Sequence, residues 1–210
     1  MRAVKRYLPV VVSAALLAAA VGATADTDET TPPGQDVPQV TEIQPQAREA
    51  MEVLDRARGE GDALPRAVAA PMDDQADFGM NPDLSRLSVG NATNSVYVVP
   101  AHDHVCVTLT VGDGADLVCP PTADIASGRA APATVTLANG DVAIYGAVPD
   151  GVGSVEIQTG SGTSTRVAAE NNVYYSVVPA GTRLRTVAYS GPGGLVEFPI
   201  VDPSAVLRAG

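Results

Sequence analysis

The sequence contains no Trp, and only two of its 210 residues are Phe, at positions 78 and 198. A core without many large rings depends on Val, Leu, Ile and the six Tyr residues. Because Val, Ile and Tyr suit extended backbone, this composition favours a thin, two-layer β architecture over a thick core. Modules that bind sugars usually present Trp or Tyr rings, so the absence of Trp also weakens that functional class.

Basic residues are scarce, and Lys occurs once, at position 5. The formal net charge is -11. Three of the 13 basic residues lie in the first 25 positions, so loss of that segment leaves 10 Arg against 24 acidic residues, about −14. Such a chain repels polyanions, which makes nucleic acid and anionic lipid headgroups unfavourable partners.

The chain has one long apolar run, which extends from Leu8 to Val21. A helix that spans a membrane needs about 20 apolar residues, and this run is shorter. Basic residues precede it and small residues follow it, which predicts a cleavable secretory signal over residues 1–25, cut between Ala25 and Asp26. The alternative is an uncleaved membrane anchor. We therefore expect a secreted or extracytoplasmic protein with no stable membrane span after signal removal.

Two segments after the signal have the composition of loops. Residues 26–40 are rich in Pro, Thr and Asp, and they carry too little apolar surface to offset chain entropy, which predicts a disordered acidic linker. Residues 60–84 contain three Pro residues and an acidic stretch. We expect a loop-rich, poorly ordered connector there.

Residues 41–59 have the apolar period of one amphipathic helix. The apolar stripe consists of Ala47, Ala50, Met51, Leu54 and Ala57. Thr41 followed by Gln44 predicts a capping box, and Gly59 lies where the helix would stop. Because the stripe is mostly Ala, this helix would be marginal alone and would lean on the β domain or on a partner.

Residues 85–203 alternate between short Val-, Thr- and Tyr-rich runs and turn residues, which predicts an all-β domain, an antiparallel β-sandwich or a barrel-like fold. Residues 204–210 would form a C-terminal tail. The predicted strands are 95–100, 104–111, 116–119, 133–138, 141–148, 153–159, 164–168, 173–178, 183–190 and 194–201. The predicted turns are Asn139-Gly140, Pro149-Asp150-Gly151, Gly160-Ser161-Gly162 and Gly191-Pro192-Gly193-Gly194.

The only two Cys residues are Cys106 and Cys119. In an exported chain, an even number of cysteines favours a disulfide over two free thiols. A hairpin with Gly112-Asp113 at its tip would place the two residues opposite each other. Such a bridge would close a loop of about 14 residues and contribute about 3 kcal/mol.

The only two His residues, His102 and His104, alternate with Cys106. On a strand all three side chains would share one face, and this donor set suits Zn or Cu. The alternative is that the two His residues lie at a solvated strand start while Cys106 is in the disulfide. Two His residues alone make an incomplete site, so the sequence predicts no cofactor and keeps Zn or Cu as the alternative.

Two further motifs are weak. Asp113 and Asp116 resemble a fragment of a calcium-binding loop, but the oxygen ligands of an EF-hand are absent. Asn91-Ala92-Thr93 fits the N-glycosylation pattern, which matters only if the secretory route glycosylates. No short motif of a hydrolase, nucleotide-binding enzyme or metalloprotease is present in the sequence, so no catalytic residue is predicted.

Four stretches of the β region resemble known sequences: Ile144–Val152, Ser154–Val155, Asn172–Tyr174, and Val96–Pro100 ahead of Cys106. They resemble a group of uncharacterised exported β-domain proteins of high-GC actinobacteria, across residues 90–180. That group has no assigned activity. The resemblance implies an exported β domain and transfers no functional residue.

We therefore expect a non-catalytic interaction module, with an unidentified protein or glycan partner at the cell exterior or envelope. One alternative is a small extracytoplasmic metal-binding protein that uses His102 and His104. Another is a hydrolase without a recognisable short motif.

Overall fold

The computed structural model describes residues 37–73, 78–90, 94–112 and 114–200, which belong to one compact unit. Within them, three short helices are α1 (Pro45–Ala50), α2 (Arg66–Asp73) and α3 (Thr122–Ala126). The strands are β1 (Arg86–Gly90), β2 (Asn94–Pro100), β3 (Val105–Val111), β4 (Gly114–Val118), β5 (Ala133–Thr136), β6 (Val142–Ala147), β7 (Ser154–Thr159), β8 (Ser164–Glu170), β9 (Val173–Val178), β10 (Leu184–Gly191) and β11 (Gly194–Pro199).

The strands form two antiparallel sheets. One has four strands in the order β1-β2-β3-β4, and the other has seven in the order β11-β10-β7-β8-β9-β6-β5. This arrangement confirms the predicted all-β, antiparallel sandwich. All ten predicted strands are present, and their ends lie within two residues of the predicted ones.

The turn sequences explain this agreement. Gly140 and Gly162 both have positive φ angles, at 86°, which a residue with a side chain rarely adopts. Gly191 pairs with Gly194, so two residues close the hairpin between β10 and β11. The Asn139-Gly140 hairpin is wider than predicted, because Thr136 pairs with Val142 and leaves five residues in the loop.

Strand β1 was not predicted, because its polar residues are buried while its apolar residues are only half-buried, the reverse of the usual alternation. Arg86 and Ser88 are its buried residues. The Arg86 side chain donates to the backbone oxygens of Leu84 and Ser85 at 2.9 and 3.0 Å. Ser88 Oγ donates to the backbone oxygen of Glu170 at 2.8 Å. Polar side chains that have such hydrogen-bond partners are stable in the protein interior. A search for alternating apolar residues cannot identify a strand whose buried residues are polar.

The seven-stranded sheet contributes to two hydrophobic cores, so that β6 forms a middle layer between them. Ala143 and Tyr145 of β6 pack in the core shared with the four-stranded sheet. Ile144 of β6 and Tyr174 of β9 pack in a second core with β7 and β10. Strand β6 is therefore buried on both faces.

Gly146 lets this middle layer close. It pairs with Tyr174 across the β6–β9 ladder. A Cβ atom at Gly146 would lie 2.7 Å from the Tyr174 hydroxyl, so the ring occupies the space that any side chain would need.

Helix α1 is much shorter than the predicted helix over residues 41–59. Gln44 is its N-cap residue and makes no side-chain capping bond, so the predicted capping box with Thr41 does not form. At Met51 the backbone becomes extended, with φ −145° and ψ 104°, and a short 3-10 turn at Glu52–Leu54 follows.

Tertiary contacts end this helix early. The backbone N–H of Glu52 donates to Asp150 Oδ1 at 2.7 Å, and that of Val53 donates to Asn172 Oδ1 at 3.0 Å. Both acceptors lie in loops of the seven-stranded sheet. Met51 and Leu54 are almost fully buried, so this segment gains more from the sandwich core than from continuing as a helix.

The predicted connector over residues 60–84 is folded where the structure describes it. Val68, Met72 and Met80 are buried against Val99 and Cys106, on the outer face of the four-stranded sheet. Residues 74–77 lie outside the described residues. A sheet face that presents Val and Cys must be covered, and this segment covers it.

The last residues of the predicted linker, 37–40, also belong to the folded part. The backbone N–H of Val40 donates to the Gly79 oxygen at 2.9 Å, and Val40 is 4% exposed. We call residues 37–73 and 78–84 the N-terminal cover. In place of the expected linker, helix and loose connector, its α1 part packs into the main core with Val98, and Val68, Met72 and Met80 pack on the other face of the four-stranded sheet.

The predicted signal over residues 1–25, its Ala25–Asp26 cleavage position and the 204–210 tail lie outside the described residues. Across the part of the chain that the structure describes, no helix has the length and apolar character needed to cross a membrane.

Candidate functional site

A groove of about 650 Å³ lies where the N-terminal cover meets the sandwich. Its volume is in the range of ligand-binding clefts. The lining residues come from α1, from α3 and from the bend before β3. They are Gln44, Gln46, Ala47, Glu49, Ala50, Ala101, His102, Asp103, Pro121, Thr122, Ala123 and Ala126.

The α1 side of the groove is fixed by buried alanines. Ala47 and Ala50 are each 2% exposed and belong to the main core. Their small side chains allow α1 to approach α3 closely, which leaves a smooth apolar floor between the helices. Ile125 of α3 is fully buried in the same core and anchors the opposite side.

The bend before β3 is held by backbone hydrogen bonds. The N–H of Thr122 donates to the Asp103 oxygen at 2.8 Å, and the N–H of His102 donates to the Phe78 oxygen at 3.0 Å. The His102 Nε2 atom lies 2.8 Å from the backbone oxygen of Pro38. These contacts join the bend to α3 and to the N-terminal cover, so the groove is formed before any partner binds.

The rim of the groove is acidic. Glu49 and Asp103 are exposed and lie on different walls. Among the described residues, neither carboxylate has a hydrogen bond or an ion pair from its side chain. The arrangement combines an apolar floor with unpaired negative charge above it, which suits a segment with small apolar side chains and one cationic side chain.

The predicted alternation of His102, His104 and Cys106 on one strand does not extend to His102. Strand β3 begins at Val105, so His102 lies in the preceding bend, while His104 forms an isolated bridge with Pro121. The His104 ring packs edge-on against Phe78, with centroids 5.1 Å apart. In the described ranges no group of three His, Cys, Asp or Glu side chains is placed to hold an ion. The Zn or Cu site at His102 and His104 therefore stays a prediction.

The predicted disulfide between Cys106 and Cys119 is present, and it joins the β3–β4 hairpin. Their Cα atoms are 4.0 Å apart, and Cys106 is fully buried. Gly112, at the predicted tip, has a φ of 57°, whereas Asp113 lies outside the described residues. The bridge lies beneath the N-terminal cover, so its role here is structural, and the cysteines are not available as ligands.

The most perturbed carboxylate is Asp62, in the N-terminal cover. Its side chain accepts two hydrogen bonds from Arg56, at 2.6 and 2.7 Å, and one each from the amides of Gly59 and Leu87. The bonds from Arg56, helped by the two amides, outweigh burial and hold the pKa of Asp62 well below its usual range. All its acceptor positions are occupied, so this carboxylate joins the cover to β1 and does not act as a proton donor or acceptor.

Two buried Tyr hydroxyls also have structural partners. Burial, with a hydrogen bond from its hydroxyl to Asp116 Oδ2 at 2.7 Å, raises the pKa of Tyr145 far above its usual range. Burial raises the pKa of Tyr189 to about 12, and its hydroxyl donates to the Gly128 oxygen at 3.0 Å. Both phenols stay protonated at neutral pH. One carboxylate oxygen of Asp116 therefore accepts from Tyr145, while Asp113, the other residue of the predicted calcium-loop fragment, lies outside the described residues.

Sequence reasoning missed the groove because three separated segments form it. Helix α3 was not predicted, although Pro120 and Pro121 followed by Thr122-Ala-Asp-Ile-Ala is a usable signal, since Pro is favoured at a helix start. The Asn91-Ala92-Thr93 glycosylation motif lies outside the described residues.

Comparison with protein-family models, with curated proteins and with solved structures gives no match.

Proposed function

We propose that this protein is an exported, non-catalytic interaction module that binds a segment of a partner protein in the groove between α1 and α3. The groove carries the proposal, because it is large, mostly apolar and held in place by backbone hydrogen bonds. The disulfide supports export, since such bonds persist in oxidising compartments, and so does the predicted signal over residues 1–25.

The lining of the groove favours a protein partner over a glycan. It contains no Phe, Tyr or Trp ring on which a sugar could pack. The unpaired carboxylates of Glu49 and Asp103 favour a segment with Lys or Arg beside small apolar residues. Residues 37–153 contain 16 acidic residues and 6 Arg, so the surrounding field also attracts a cationic partner.

The non-catalytic part of the proposal is supported by the roles of the perturbed groups. Strongly shifted pKa values often mark active sites. Here Asp62, Tyr145 and Tyr189, whose pKa values are shifted, are engaged in hydrogen bonds that join structural elements, and none of them lines the groove.

Short peptides test this proposal directly. The panel consists of eight-residue peptides of Ala, Val and Ser with Lys, Gln or Glu at one central position, titrated against the full chain by fluorescence anisotropy. We expect saturable binding of the Lys peptide and at least tenfold weaker binding of the Glu peptide, because 1.4 kcal/mol of lost contact changes Kd tenfold.

The variants separate the groove from the rest of the surface. Ala126 is exposed at the groove, and Ala168 is exposed on β8. Ala126→Arg should weaken Lys-peptide binding about tenfold, whereas the matched control Ala168→Arg should leave it unchanged. Equal effects of both variants, or no binding by any peptide, would overturn the groove as the docking site.

A further inference from the structure

A second pocket, of about 420 Å³, lies between two neighbouring loops of the seven-stranded sheet. One is the β7–β8 hairpin tip, and the other joins β9 to β10. The lining residues are Thr159, Gly160, Ser161, Gly181, Thr182 and Arg183. This lining is built from hydroxyls, glycine backbone and one guanidinium group.

Backbone contacts place Arg183 at the pocket wall. The N–H of Gly160 donates to the Arg183 oxygen at 2.6 Å. A Cβ atom at Gly160 would lie 3.1 Å from Arg183 Cβ and 3.2 Å from its Cδ, so the aliphatic part of Arg183 runs across this glycine. The absence of a side chain at Gly160 thus leaves room for the aliphatic part of Arg183, which lines the pocket.

Three hydroxyls line up along the same tip. Thr159 Oγ1 lies 2.7 Å from Ser161 Oγ, which lies 3.3 Å from Thr163 Oγ1. All three residues are at least partly exposed, and Thr159 Oγ1 also donates to the Thr163 backbone oxygen at 3.3 Å. An anion that accepts from these hydroxyls therefore replaces local hydrogen bonds at the tip.

Arg183 has no acidic partner in the described part of the chain. Arg166, by comparison, lies 3.5 Å from Glu156, and Arg129 lies 3.1 Å from Asp124. Residues 154–200 contain three Glu and three Arg, so this end of the sequence is neutral while the rest is strongly acidic. An anion that approaches Arg183 is therefore less repelled than the net charge of the protein implies.

We propose that this pocket binds a phosphate-type oxyanion, held by the guanidinium of Arg183 and by hydroxyl donors from Thr159, Ser161 and Thr182. Arginine offers several donors in a plane and pairs well with tetrahedral oxyanions. The volume exceeds that of one phosphate, so a phosphorylated sugar or another small phosphomonoester also fits. This inference is independent of the groove and of its partner.

Titration of the full chain with inorganic phosphate, followed by 1H–15N NMR at constant ionic strength, tests the site. We expect the amide resonances of Gly160, Ser161 and Gly181 to shift and to reach saturation at low millimolar phosphate concentrations, with few shifts elsewhere. Arg183→Gln should weaken binding about tenfold, since hydrogen bonds to charged groups are the strong ones.

Arg185 supplies the matched control, because it is also exposed but does not line the pocket. Arg185→Gln should retain binding within about twofold. Equal weakening by both substitutions would show unspecific attraction and would overturn the site, as would shifts that never saturate.

Glucose 1-phosphate and glucose distinguish the sources of the anion. Tighter binding of glucose 1-phosphate than of inorganic phosphate supports a phosphorylated sugar as the ligand, and equal binding supports the phosphate group alone. If glucose binds as tightly as glucose 1-phosphate, the anion is irrelevant and the proposal fails.

Discussion

The N-terminal cover and the hairpins of residues 154–199 are held to the molecule by different contacts. Beyond its buried apolar residues, the cover depends on a few side chains that bind distant backbone groups, such as Asn172, which accepts from the N–H of Val53, 119 residues away. The hairpins depend on repeated backbone ladders between neighbouring strands. Stability should therefore be concentrated in single residues of the first region and spread over many in the second.

The largest expected effect is at Asp62, where one carboxylate accepts four hydrogen bonds. Asp62→Ala leaves Arg56 and two amides without their acceptor, so we expect a loss of about 4 kcal/mol in the free energy of unfolding. Urea unfolding followed by circular dichroism measures it. The control Asp55→Asn removes an exposed carboxylate 3.9 Å from Arg48 and should cost less than about 0.5 kcal/mol.

The same residue gives a pH dependence with a definite sign. The pKa of Asp62 is lower in the folded state than its usual value of 3.8. Its contribution to the free energy of unfolding is therefore complete above pH 3.8 and is lost as the pH falls below that value. The stability of the native chain should therefore decrease below about pH 4 more steeply than that of Asp62→Asn. Parallel acid profiles for the two proteins would contradict the role assigned to this carboxylate.

The disulfide should have the next largest effect, since it fixes the sheet edge under the cover. Its cysteines are 13 residues apart, and a loop of this size corresponds to about 3 kcal/mol. We expect the Cys106→Ala, Cys119→Ala double variant to lose that amount in urea unfolding. The native chain treated with a reductant should unfold at the same midpoint as the double variant; a clear difference would mean that the substitutions act through packing.

Asn172 should come third, because its side chain bonds Val53 and its backbone has a positive φ of 65°. Asn172→Ala loses the bond and strains the turn, which should cost about 2 kcal/mol. Asn172→Gly keeps the backbone conformation, so it should cost about half as much. Chemical denaturation of both variants separates the two causes, and identical losses would show that turn strain contributes nothing.

The smallest effect should lie in the hairpin region. Arg166→Ala removes an exposed ion pair with Glu156 across β7 and β8, and we expect a change below about 0.5 kcal/mol. A loss above 1 kcal/mol in the free energy of unfolding, by heat or urea, would contradict the comparison between the cover and the hairpins. One side chain would then matter strongly in a region that is stabilised by backbone hydrogen bonds between strands.

Sequence patterns predicted the hairpin region well and the cover poorly, for a physical reason. A turn such as Gly160-Ser161-Gly162 acts within a few residues, so local sequence contains most of the information. The end of α1 at Met51 depends on Asp150 and Asn172, about a hundred residues away, and no periodicity in α1 can report them. The disulfide was predictable because only one pairing exists, whereas the groove depends on how three segments meet.

The double burial of β6 has a consequence for how this protein can change over generations. The side chains on both faces of that strand are buried except at Val142, which is half-buried, so the strand offers few positions where substitutions accumulate at little cost. The groove and the smaller pocket, by contrast, are built from turns, a bend and short helices. Selection can therefore reshape what the molecule recognises while its middle layer stays constant.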